Sequence, residues 1–126
     1  MKEKYKSRFS LDTNKQPSLL KKEATRFVSK NIRIHSKALK RKINLSKVVE
    51  AIGQRKSSRT KRLRCFITAV DILKNSKFFT KREFHGVKEY SIMGYSAENT
   101  EVEVHLREEI SQKKDKELFM VSCFYK

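Results

Sequence analysis

The apolar residues of this chain change their period part-way along it, and that change limits the folds open to it. Up to about Asn75 they recur at helical spacing, and from Lys81 onward they alternate. Pro17 and Ser18 open the first helical stretch, and Leu20, Ala24, Phe27 and Val28 line one face of it. Ile32 extends the series, and Ile34, Ala38 and Leu39 continue it less cleanly. Asn44–Gly53 reads as a short second helix, with Asn44 or Ser46 as cap, Leu45, Val48, Val49 and Ile52 as its face, and Gly53 as its stop. After a polar basic link, a third helix starts near Ser58 and ends near Asn75, with Leu63, Phe66, Ile67, Val70 and Leu73 inward.

The second pattern predicts strands. Phe84–Val87 is a short one, and Tyr90–Tyr95 is another in which Gly94 points to a bulge or a close backbone approach. Ala97–Thr100 reads as a turn, Glu101–Leu106 as a strand with one buried and one wet face, and 112–117 as a charged turn. Leu118–Tyr125 is apolar except for Ser122, which predicts a central strand. The expected architecture is α+β: N-terminal helices packed on one face of a three- to four-stranded antiparallel sheet. Residues 1–16 have no apolar period and read as a flexible basic arm, which leaves 17–126 as a single domain.

Charge divides the chain as sharply as periodicity does. Residues 1–64 hold 21 Lys and Arg against four acids and so carry the whole net charge of +17, while 65–126 are balanced at ten and ten. Such asymmetry marks a polyanion partner, because each phosphate neutralised by Lys or Arg releases condensed counterions. A basic membrane-surface helix would need a broad apolar face, and the first half is too polar all round. No apolar run nears the roughly 18 residues of a membrane span. The basic N-terminus lacks the apolar stretch of a signal peptide, so a cytosolic site of action is expected, including that of a target cell reached as the tail of a larger protein. Cys65 and Cys123 sit among apolar residues and read as reduced core groups.

The chain has no phosphate-cradling glycine loop, no nucleophile elbow and no metal-ligand spacing, so neither a metal nor a cofactor is expected. RNA can be cut without metal when the 2′-hydroxyl attacks the adjacent phosphorus, given a proton acceptor, a proton donor and cations. His35, read on a basic helix with Lys42 on its face and Lys40 and Arg41 nearby, is one candidate for proton transfer. His85, beside Gly86, is another, whereas His105 reads as an exposed strand residue beside Glu101 and Glu103. Arg59, Lys61, Arg62 and Arg64 cluster at the third helix start, with Arg55 and Lys56 just before them, as a phosphate site. Ser122 either presents its hydroxyl to a site or bonds within the core. Tyr125, with Tyr90 and Tyr95, either stacks on bases or fills the core.

The His35-Ser-Lys-Ala-Leu-Lys-Arg41 segment, the Thr68–Asn75 stretch and the closing Val121-Ser-Cys-Phe-Tyr125 together resemble the barnase, EndoU, colicin and RelE-like ribonuclease superfamily, which includes phage-encoded and contact-dependent toxin tails. The resemblance covers roughly residues 31–126. It implies metal-independent cleavage of tRNA or mRNA and an acidic immunity protein or antitoxin as partner. The residues it carries over are His35 and Lys42, Arg59 and Arg62, and the Ser122 hydroxyl. The paired histidines of the EndoU branch are missing. The leading expectation is thus a toxin-type endoribonuclease. The rivals are a non-enzymatic RNA- or DNA-binding module using the same basic half, and a protein whose basic face docks an acidic one.

Overall fold

The computed structural model describes residues 4–110 and 115–126. In chain order its elements are β1 (Tyr5–Lys6), α1 (Pro17–Lys30), β2 (Arg33–Ser36), β3 (Arg41–Asn44), α2 (Val48–Gly53), α3 (Arg59–Arg64), α4 (Phe66–Asn75), β4 (Thr80–Phe84), β5 (Val87–Tyr95), β6 (Glu101–Ile110) and β7 (Lys116–Tyr125). The strands make one seven-stranded mixed sheet in the order β1-β5-β6-β7-β3-β2, with β4 paired to β5. Two pairings are parallel, β1 with β5 and β3 with β7. The fold is α+β, but the expected three- to four-stranded antiparallel sheet is overturned by this larger, strongly curled one. The curl lets α4 pack against β5 and β6 on one side and against β2 on the other.

The largest correction falls on residues 31–44. The first helix stops at Lys30, and the chain that was expected to extend it forms the β2–β3 hairpin instead. Ile32 and Ile34, and Ile43 and Leu45 on the return, are spaced by two, and such apolar alternation, rich in β-branched isoleucine, favours a half-buried strand over a helical turn. Ile34 and Ile43 are cross-strand partners turned into the core, while His35 pairs with Lys42 on the opposite face. Lys40, at φ 56°, turns the chain between the strands. Asn44 accordingly ends a strand, and its side chain accepts a hydrogen bond from the Ser46 amide ahead of α2.

The expected third helix is broken at Cys65, whose backbone (φ −101°, ψ 8°) leaves the helical region. The break lets α3 lie along the edge of β7 while α4 runs beneath the sheet. Phe84–Val87 is a turn rather than a strand. His85 (φ 50°) and Gly86 (φ 78°) both adopt positive φ, as the tight two-residue hairpin turn requires. Of the expected charged turn, residues 112–114 lie outside the described residues, while Lys116 and Glu117 begin β7.

One core joins the layers. Phe66 from α4 meets Phe27 from α1 edge-on, at a centroid distance of 6.0 Å. Ile72 and Leu73 pack with Ile92, Val102, Val104 and Leu106 of the sheet, all essentially without solvent exposure. Residues 4–16, read from the sequence as an arm, run along this core. Tyr5 pairs beside Gly94 and its hydroxyl donates to Asp71 at 2.9 Å. The Ser7 amide donates to the Tyr95 carbonyl at 2.7 Å.

Gly94 permits that docking. A Cβ there would lie 2.7 Å from the Tyr5 carbonyl oxygen and 2.9 Å from an Ile72 side-chain carbon. Gly94→Ala is therefore expected to cost about 1–3 kcal/mol by overpacking. Urea denaturation measures the loss. Hydrogen exchange should show the Ser7 amide losing protection first, and an unchanged Ser7 amide would contradict the close approach.

Candidate functional site

Two surfaces emerge once the cations are followed to their partners. Part of the first-half charge is neutralised by acids of the sheet: Arg33 pairs with Glu117 at 2.8 Å, Lys47 with Glu109 at 2.7 Å and Arg41 with Glu108 at 3.6 Å. Arg33 and Asn44 also donate to Glu117, and these hydrogen bonds hold its carboxyl below the usual carboxylate range. The cations of the helical layer lack such partners among the described residues. Lys21, Lys22 and Arg26 of α1, Arg55 and Lys56 of the α2–α3 link, and Arg59 and Lys61 of α3 make no ion pair. Between α1, α2 and α3 lies a groove of about 820 Å³ with Val28, Val49 and Leu63 on its floor and Lys21 and Arg59 on its wall.

Arg62 joins this cationic layer to the sheet. It springs from α3 at the edge of β7, beyond the point where β3 stops pairing. Its guanidinium donates to the Ser122 hydroxyl at 2.6 Å and to the Cys123 carbonyl at 3.5 Å, and its charge centre lies 5.5 Å from the centre of the Phe124 ring. No carboxylate pairs with it among the described residues. Burial, and then the like charge of Arg55, pull its pKa down from the ordinary arginine value, yet a guanidinium keeps its proton throughout the neutral range. It is a part-buried cation whose Nε also donates to the Ser58 hydroxyl at 2.9 Å.

Next to it, on the sheet face that the helices leave uncovered, sits an acid–imidazole pair. Glu103 and His105 are two apart on β6 and therefore share that face. Their Oε1 and Nε2 atoms are 3.2 Å apart. The imidazole meets the Phe124 ring edge-on at 5.1 Å, and His105 is the cross-strand partner of Ser122 on one side and of Ser91 on the other. A bulge in β7, where the register slips between His105 and Leu106, aims the end of that strand. The β4–β5 hairpin closes the other side. The result is a groove of about 620 Å³ lined by Thr80, Lys81, Arg82, Glu89, Tyr90, Ser91, Glu103, His105 and Phe124. Each of its two carboxylates faces a basic group, Glu103 the His105 ring and Glu89 the Arg82 guanidinium at 3.3 Å.

The candidates named from the sequence are placed as follows. His35 lies exposed on β2 and His85 on the β4–β5 turn, at opposite edges of the sheet, so they cannot serve one reaction. Lys42 shares the His35 face, though by strand pairing rather than by helical repeat. Lys40 turns the hairpin beside it, and Arg41 is drawn to Glu108. Ser122 is fully buried and its hydroxyl is occupied by Arg62, which makes it a positioning group for that guanidinium. Tyr125 pairs with Val102, on the helix-covered face, where Lys61 lies over its ring at 4.8 Å. Arg59 lines the helical groove rather than the sheet groove. Arg55 stands near Arg62, Lys56 is exposed beside it, and Arg64 ends α3 half-buried. Cys65 and Cys123 are buried and free, with their sulfurs 3.5 Å apart. The hydrogen bond to Cys65, together with burial, holds the Cys123 thiol well above its ordinary pKa.

The sequence reading places His105 and Glu103 together but as an exposed strand face without a role, and it does not single out Arg82. The usable signal was Glu-x-His on a strictly alternating strand, which puts an acid and an imidazole side by side. Among the described residues no group of three or more potential metal ligands converges. No helix there is long and apolar enough to cross a membrane. No family model matches the chain, and no match is found among curated proteins or solved structures.

Proposed function

We propose that this protein binds RNA through its cationic helical layer and cleaves it without metal in the groove beside His105. The observation that carries the reading is that a carboxylate-free, part-buried Arg62 and the Glu103–His105 pair both lie against the Phe124 ring. An acid, an imidazole and an unneutralised guanidinium are the groups that transesterification of RNA needs. In this reading His105 takes the proton of the 2′-hydroxyl while Glu103 stabilises the imidazolium. The 2′-oxygen bonds to phosphorus, the bond to the 5′-oxygen breaks, and His105 returns the proton to that leaving oxygen. Arg62 holds the charge that gathers on the phosphoryl oxygens. The products are a 2′,3′-cyclic phosphate and a 5′-hydroxyl.

Incubating the protein with RNA in excess EDTA tests this, with cyclic-phosphate ends as the expected product. Intact RNA across the pH range would sink it. The helical layer alone supports a second reading, a binding module without chemistry. It requires that RNA affinity be unchanged when His105 is removed and that no cleavage occur with the native chain.

Both readings share a prediction about salt. Binding to single-stranded RNA should weaken steadily as salt rises, and the logarithmic slope should fall by about 0.7 for each phosphate contact removed. Arg55→Ala with Arg59→Ala should lower that slope, as measured by fluorescence anisotropy, while Lys42→Ala at the far edge should not.

A further inference from the structure

Every position of β4 is exposed, and the strand carries Lys81 and Arg82 in its middle and Phe84 at its end, beside the turn. On the face it shares with the groove, Thr80, Arg82 and Phe84 follow one another at two-residue spacing. Thr80, Ser91, His105 and Ser122 are successive cross-strand partners, so a line across four strands leads from the Arg62 contact to the base of the hairpin. Phe84 stands about 13 Å further along β4, estimated from the strand rise, with Arg82 between. Phe84 is 63% exposed, and its ring and that of His85 meet at 72° with centroids 4.2 Å apart, so most of the residue stays open to solvent.

An aromatic residue this exposed at a hairpin tip contributes nothing to the core. Its surroundings suit a base. The path from His105 to Phe84 passes the Arg82 guanidinium, which is paired with Glu89 at 3.3 Å but 75% exposed and so open to a backbone phosphate as well, and ends on an aromatic platform. That sequence of groups matches a nucleic acid strand whose bases are free to splay. In a duplex the bases are stacked on one another and cannot reach such a ring. Uncharged apolar ligands would not need Arg82, and simple polyanions would not need Phe84.

We infer that the β4–β5 hairpin is a stacking arm that restricts this site to unpaired RNA, with Phe84 receiving a base neighbouring the cleaved phosphate and Arg82 holding the phosphate between. The inference rests on the reading of the His105 groove as an RNA site. It adds the class of substrate: single strands and loops rather than helices.

The test uses the full chain and two RNAs of one sequence, a single-stranded oligonucleotide and its blunt duplex. Binding is read by anisotropy with His105→Ala as background so that the RNA survives, and cleavage is read separately with the native His105. Phe84→Ala is expected to weaken single-strand binding by about 5- to 100-fold, the loss of one base–aromatic stack, and to leave duplex binding unchanged. Phe84→Tyr should restore the single-strand affinity. Because Phe84 is mostly exposed, the variant should fold as the parent does, and its circular dichroism checks this. Equal weakening on both RNAs, or no change on the single strand, overturns the stacking arm. If the native chain cleaves neither RNA while the Phe84 effect on single strands persists, the reaction proposed above is lost and the arm stands.

Discussion

His105→Ala is expected to slow RNA cleavage by about 10²- to 10⁴-fold, the range typical of removing a positioned acid–base group. Circular dichroism and RNA affinity should stay as they are. The size of the effect follows from the geometry. The imidazole touches Glu103 at 3.2 Å and leans on Phe124, but it lies outside the core and its side chain is 34% exposed, so its loss leaves no buried cavity. Glu103→Gln should keep the hydrogen bond while removing the charge that stabilises the imidazolium. A smaller loss in rate than that of His105→Ala is expected. His35→Ala should leave the rate within a few-fold of the parent, since His35 lies on β2 at the far edge of the sheet. A His35 variant as damaged as the His105 variant would move the chemistry to the far edge of the sheet and overturn the assignment.

Phe66→Ala is expected to cost about 3–5 kcal/mol, the range for an aromatic residue lost from a core. Phe66 is only 1% exposed and sits where α4 meets α1 through Phe27, with Leu63 and the sheet around it. Truncating it opens a cavity at the junction that sets the position of α3, and therefore of Arg62. In a domain of this size such a loss is a large share of the whole stability. Urea unfolding at 25 °C gives the number. A loss below about 1 kcal/mol would mean that the helices are not tied to the sheet through this residue. Phe84→Ala, by contrast, should leave the unfolding midpoint unchanged, because Phe84 buries little.

The conversion of residues 31–44 from expected helix to hairpin shows where local reading fails. The segment holds both patterns. Phe27, Val28, Ile32 and Ala38 continue a helical series, while Ile32 and Ile34, then Ile43 and Leu45, alternate. Nothing local separates them, since Ile34 fits either pattern. The choice was made by β7, which offers Ile43 and Asn44 a parallel partner in Leu118 and Phe119 far along the chain. His35 was therefore drawn as a helical residue near Lys40 and Arg41, and its place opposite Lys42 at the rim of a sheet could not be read from it.

The charge asymmetry survives in altered form. It does not cover one continuous surface. The hairpin cations Lys37, Lys40 and Lys42 lie at one edge, several more are tied to sheet acids, and those of α1, α3 and the α2–α3 link form the helical layer that ends at Arg62.

Local residue pattern alone determined the start and inner face of the first helix, though not its end at Lys30, the alternating strand that sets Glu103 beside His105, the apolar central strand around Ser122, and the basic bias of the first half. These depend on the spacing of side chains within one element, and the chain carries that information directly. Only the tertiary structure decided the number of strands, the two parallel pairings, the break at Cys65 and the meeting of Arg62 with Ser122, 60 residues away. Those depend on which distant backbone satisfies a strand edge and on which apolar faces close over one another, and both are properties of the whole folded chain.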